Sequence, residues 1–141
     1  MIVGTEWLIE ATGCDPDLLR DEAAIRSIFT NVIADLGLRS VGSVWHKFPG
    51  EGGVTGLIAL TESHLACHTY PEYGTATFNL YCCRTRPEWD WEENLMTALG
   101  AAHVTVTKIE RGEQVDQISS FKSEISNIKP EMKIEIAEGL Q

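Results

Sequence analysis

The chain has 141 residues, 43% of them apolar, enough for one domain with a true core, and carries 21 acidic against 11 basic side chains for a formal net charge of -10. That charge repels phosphate backbones and no cluster of Lys and Arg reverses it locally, so nucleic acid is not an expected partner. No apolar run approaches the ~20 residues of a membrane helix and the first residues lack the pattern of a secretory signal, so a soluble, cytoplasmic protein without a membrane partner is expected.

In chain order, Trp7 to Thr12 reads as a first strand that ends at the turn Gly13-Cys14-Asp15-Pro16. Ile25, Ile28, Phe29, Val32, Ile33 and Leu36 then recur at the three-and-four spacing of one helical face, with Asp21 as N-cap and Gly37 as the stop. Ser40 to Phe48 and Thr55 to Thr61 are short, apolar and rich in strand formers. The glycine-rich Pro49-Gly50-Glu51-Gly52-Gly53 between them reads as a connecting loop, because it lacks the downstream Lys-Ser/Thr of a phosphate loop.

Strands resume at Leu65 to Thr69 and Thr75 to Cys83, joined by a turn at Tyr70-Pro71-Glu72-Tyr73-Gly74. Trp91, Leu95, Ala98 and Leu99 mark one face of a second helix that Gly100 ends, and Val104 to Ile109 is a further strand. This order predicts an α+β fold, a two-layer sandwich of a mainly antiparallel sheet with helices packed on one face. Residues 1-112 form the predicted domain. Residues 113-141 form a more polar C-terminal extension of uncertain structure, in which only Met132 to Ile136 alternates like a strand.

Cys14, Cys67, Cys82 and Cys83 show no C-x-x-C spacing and are read as free thiols in a reducing compartment. His64 and His68 are four residues apart, but Pro71 and strand-like neighbours argue against a metal-binding helix, so no metal site is expected. The acidic surface suits a cationic small molecule, while solubility alone also accounts for it.

Polar residues interrupt the apolar strands between Gly53 and Gly74. Ser63, flanked by Glu62 and His64 with His68 nearby, invites a nucleophile reading, since a hydroxyl attacks only when a base takes its proton. Without a G-x-S-x-G elbow a hydrolase of that kind is not expected, and an interrupted strand in a packed sheet explains the same residues. Spacing alone leaves both open.

The segment as a whole resembles the prokaryotic S-adenosylmethionine decarboxylase family. The resemblance is carried by Val54-Thr55-Gly56, Glu62-Ser63-His64-Leu65, His68-Thr69-Tyr70-Pro71-Glu72-Tyr73-Gly74 and Cys83, and extends more loosely from Gly4 to about Gly112. It implies a proenzyme that cleaves itself between Glu62 and Ser63 and converts Ser63 into a pyruvoyl group, with no metal and no pyridoxal phosphate. That group would join the substrate amine as a Schiff base and accept the electron pair released with carbon dioxide.

The resemblance also implies that His68 assists processing, that Cys83 protonates the product carbon, that Thr55 supports self-cleavage, and that the protein is a homodimer of cleaved protomers. Without it, a satisfied histidine and an inert thiol are the plainer readings of His68 and Cys83. The implied substrate is S-adenosylmethionine, decarboxylated for spermidine synthesis.

Two departures matter. The family usually has serine where Thr55 stands, and Gly-Arg-His-Leu where this chain reads Gly4-Thr5-Glu6-Trp7. Glu6 is thus a candidate contact for a cationic substrate, which brings in the family's arginine and ornithine decarboxylases as an alternative. Phe48 and Glu72 are further candidate substrate contacts. A non-enzymatic regulatory or binding paralogue, and a thiol nucleophile pairing Cys83 or Cys67 with His68, are the competing classes.

Overall fold

Asp21 starts the long helix: its carboxylate accepts from the amides of Ala23 and Ala24 at 3.0 and 3.3 Å. Gly37, in the left-handed region at φ 63°, ends it. This helix, α2 (Glu22–Leu36), has the expected bounds and buries Ile25, Ile28, Phe29, Val32 and Leu36. The computed structural model describes residues 1–112, of which Ile2–Arg111 form one unit. The expected Met132 to Ile136 strand and the rest of the 113-141 extension lie outside the described residues.

Around α2 the chain forms β1 (Ile2–Thr12), α1 (Pro16–Arg20), β2 (Ser40–Lys47), β3 (Val54–Leu60), β4 (Ser63–Tyr70), β5 (Thr75–Cys82), α3 (Trp91–Leu99) and β6 (His103–Gly112). The strands make one six-stranded sheet in the order β2-β3-β4-β5-β1-β6, and the four pairings from β2 to β1 are antiparallel. Phe29 of α2 and Trp91 of α3 both pack on Phe78 of β5, at ring-centroid distances of 6.2 and 5.8 Å, so both helices lie on the same sheet face. The α+β sandwich is the observed fold.

Three local differences from the sequence reading have simple causes. The first strand begins at Ile2 rather than Trp7, because pairing with β5 carries it past Thr5 and Glu6 opposite Cys82 and Tyr81. Asp15 caps a short helix where only a turn was read, accepting from the Asp17 amide at 2.9 Å with Pro16 in the first helical position. Tyr70 to Gly74 contains one 3-10 turn, Pro71–Tyr73, which Gly74 closes at φ 59°.

Side chains alternate cleanly across the sheet. On the helix side lie Trp7, Ile9, Ala11, Leu65, Cys67, Phe78, Leu80 and Cys82, all buried. Glu6, Leu8, His64, His68, Asn79 and Tyr81 stand on the other side, which no helix of the described residues covers. Gly56 is required by packing: a Cβ there would meet the Trp45 ring at 2.3 Å, and that ring packs on Phe29 at 4.9 Å. Lys47 bridges the glycine-rich loop by donating to the carbonyls of Phe48 and Gly52 at 2.5 and 2.6 Å, which makes Pro49 to Gly53 a connection.

Candidate active site

Glu62 and Ser63 occupy the tight reversal between β3 and β4. Ser63 has φ 147°, the one positive φ at a non-glycine residue among the described residues, a conformation that costs on the order of 1–3 kcal/mol. Adjacent strand residues normally point to opposite faces; the twisted backbone of Ser63 instead brings its hydroxyl 3.2 Å from Nδ1 of the next residue, His64. The carbonyl oxygen of Glu62 accepts from the backbone N–H of Cys83 at 3.0 Å. The peptide bond following Glu62 therefore has a nucleophile on one side and a polarising donor on its oxygen.

The Glu62 side chain is buried, 5% exposed as a residue, and held by Arg86 through two parallel bonds of 2.5 and 3.1 Å. A cavity of ≈ 430 Å³ opens beside it, lined by Gly37, Arg39, Thr61, Glu62, Arg84 and Arg86. Sequence reading had no signal for Arg86, because the pairing spans 24 residues and depends on where the chain goes after β5.

His68 lies elsewhere. Five residues of extended chain, about 16 Å at ~3.3 Å per residue, separate it from Ser63. Its Nδ1 is 2.7 Å from the Thr55 hydroxyl on the paired strand, and Phe48 meets its ring edge-on at 5.6 Å. Glu72 sits exposed in the 3-10 turn after β4, at this same end. Within one chain the candidate residues thus divide into a Ser63, Glu62 and Cys83 group and a Thr55, His68, Phe48 and Glu72 group. Between the ends of β4 the open face has a hollow of ≈ 320 Å³, lined by Leu8, Ala66, His68, Thr77 and Asn79 among others.

Cys83 is exposed, one residue beyond β5, whereas Cys82 is fully buried on the helix side. Burial, with Glu62 close by, pushes the Cys82 thiol up to about 11, and burial pushes Cys67 up to about 12, which makes both poor nucleophiles. Glu6 is already engaged: its carboxylate accepts from Asn79 at 2.5 Å and from Arg111 at 3.0 Å. No cluster of three or more His, Cys, Asp or Glu among the described residues is placed to hold a metal ion. No helix among them is long and apolar enough to cross a membrane.

Known proteins similar to this chain are S-adenosylmethionine decarboxylases. The family model described as S-adenosylmethionine decarboxylase matches residues 5–112. An S-adenosylmethionine decarboxylase proenzyme of Pelotomaculum thermopropionicum is 35% identical over 111 residues, covering 78% of this chain and 87% of its own. One of Thermococcus gammatolerans is 32% identical over 115 residues, covering 81% and 80%. The crystal structure of the adenosylmethionine decarboxylase from Aquifex aeolicus superposes with a TM-score of 0.66 at 26% identity, over 79% of this chain and 92% of that one.

Proposed function

Because the chain belongs to the S-adenosylmethionine decarboxylase family, we propose that it is a proenzyme that cleaves itself before Ser63 and then decarboxylates S-adenosylmethionine. The observation that carries this reading is the scissile peptide itself: a strained serine, its hydroxyl turned toward an imidazole, and the preceding carbonyl held by the Cys83 amide. Attack by the Ser63 oxygen on the Glu62 carbonyl carbon replaces the peptide by an ester. Elimination then releases Glu62 as a carboxylate, and hydrolysis leaves the pyruvoyl group and ammonia.

Once formed, the ketone at residue 63 supplies an electron sink for the pair left when carbon dioxide departs. The rest is the work of this chain's own side chains. Cys83, exposed and attached to the amide that holds Glu62, is the donor of a proton to the product carbon. The hollow on the open face, flanked by His68 and Asn79, takes the substrate, with the Phe48 ring beside His68. The Glu6 carboxylate, already bound by Arg111 and Asn79, does not favour arginine or ornithine over S-adenosylmethionine.

Two copies of the chain complete the site in this reading. His68 and Thr55 are too far from Ser63 in their own protomer, and the open sheet face exposes Leu8, Leu57 and Val44 at 38%, 45% and 69%, an apolar surface suited to a second copy. A homodimer formed through that face supplies His68 to the partner's Ser63.

Intact mass under denaturing conditions tests the function. Two fragments, 1-62 and 63-141, the second without a free amino terminus, are expected; one intact chain in every preparation would overturn the self-processing reading. Carbon dioxide release from S-adenosylmethionine, arginine and ornithine, offered separately to cleaved protein, then identifies the substrate.

A further inference from the structure

His64 and Glu6 stand on the two strands that flank β5, each directly opposite Tyr81, and both reach diagonally to Asn79. The hydrogen bonds among them run in one direction only. A carboxylate accepts and does not donate, so the Asn79 amide nitrogen must face Glu6, at 2.5 Å. The Asn79 oxygen then faces His64 Nε2 at 2.8 Å, and that nitrogen must carry the ring proton. In the neutral imidazole this leaves the lone pair on Nδ1, the atom 3.2 Å from the Ser63 hydroxyl. Arg111 fixes the other Glu6 oxygen at 3.0 Å and prevents the carboxylate from turning away.

We propose that His64 is the general base that activates Ser63 for self-cleavage, with Asn79 and Glu6 as positioning residues that set its tautomer. This rests on the self-processing reading above. The proton of the Ser63 hydroxyl passes to His64 Nδ1 as the Ser63 oxygen bonds to the Glu62 carbonyl carbon. The electron pair moves to the carbonyl oxygen, held by the Cys83 amide. Collapse breaks the carbon–nitrogen bond, and His64 returns the proton to the nitrogen of residue 63. The step is an isomerisation of peptide to ester and needs no further reactant. The positive φ of Ser63 is part of the device, since a regular strand would point the hydroxyl away from His64.

This assignment leaves His68 for the later elimination, and hydroxylamine, which cuts esters but not peptides, separates the two stages. Freshly purified wild-type protein, His64→Ala, His68→Ala and Glu6→Gln are followed by intact mass with and without hydroxylamine. Cleavage of His64→Ala is expected to slow about a hundredfold or more. The uncut variant should resist hydroxylamine and regain cleavage when imidazole is added, a rescue that a purely structural role would not give. Glu6→Gln should slow the same stage severalfold, while His68→Ala accumulates hydroxylamine-sensitive ester. His64→Ala cleaving at the wild-type rate, stalling as the ester, or resisting imidazole while folded by circular dichroism overturns the inference and leaves self-processing standing if wild-type protein is cut. Wild-type protein that is never cut overturns both.

Discussion

Arg86 ties Glu62, the residue before Ser63, to the end of a helix: its guanidinium forks the Glu62 carboxylate and donates Nη1 to the carbonyl of Leu36 at 3.2 Å, in the last turn of α2. A buried carboxylate that loses its partner is destabilising, because its desolvation is no longer offset. Arg86→Leu is expected to lower the melting temperature by several degrees and to slow self-cleavage by displacing Glu62. Arg86→Lys keeps the charge without the fork and should fall between. Thermal unfolding and intact mass on the same samples check both effects.

Thr55 keeps a hydroxyl 2.7 Å from His68 where the family usually has serine. Thr55→Ser is expected to leave processing within about threefold of wild type. Thr55→Val, which keeps the shape and removes the hydroxyl, should slow it on the order of tenfold or more, the cost of leaving His68 Nδ1 without its partner. The time course of fragment formation checks this, and equal rates for serine and valine would remove Thr55 from the mechanism.

The buried thiols make stability fall in alkali. Cys82 and Cys67 have native pKa values raised to about 11 and about 12 from an ordinary value of 9.0. Each holds its proton more tightly when folded, so the stability it lends is complete below pH 9 and is lost as pH rises toward those values. The slope is at most about 1.4 kcal/mol per pH unit for each thiol. Melting temperatures measured from pH 8 to 11 should drop above pH 9, and less steeply for Cys67→Ala than for wild type, although that variant starts lower.

Division of the candidate residues between the two ends of β4 predicts complementation. Ser63→Ala and His68→Ala chains should each stay uncut alone. When the two are co-expressed, the His68→Ala chain should be cleaved, because a mixed dimer contains one site with both groups. Leu57→Asp on the open face should shift the protein to a monomer in sedimentation and abolish cleavage. A cleaved monomer would refute the shared site.

The elements legible in the sequence are those set by neighbours along the chain. Asp21 and Gly37 bound α2 through hydrogen bonds to residues two to four positions away, and alternation gave β3, β4 and β5 because each strand buries one face. The run from Val54 to Gly74 carried the resemblance to the family and singled out Ser63, because Glu62, Ser63, His64 and the turn residues lie close together along the chain.

Tertiary structure alone decided which groups meet. Glu6 and Asn79 are 73 residues apart and touch because β1 pairs with β5 in one register; a shift of one residue would turn Glu6 to the helix side. The pairing of Arg86 with Glu62 follows likewise from the path of the chain after β5, and the turning of the Ser63 hydroxyl toward His64 from one strained φ angle. A sequence encodes these only through the summed burial of its core, so no local pattern announces them.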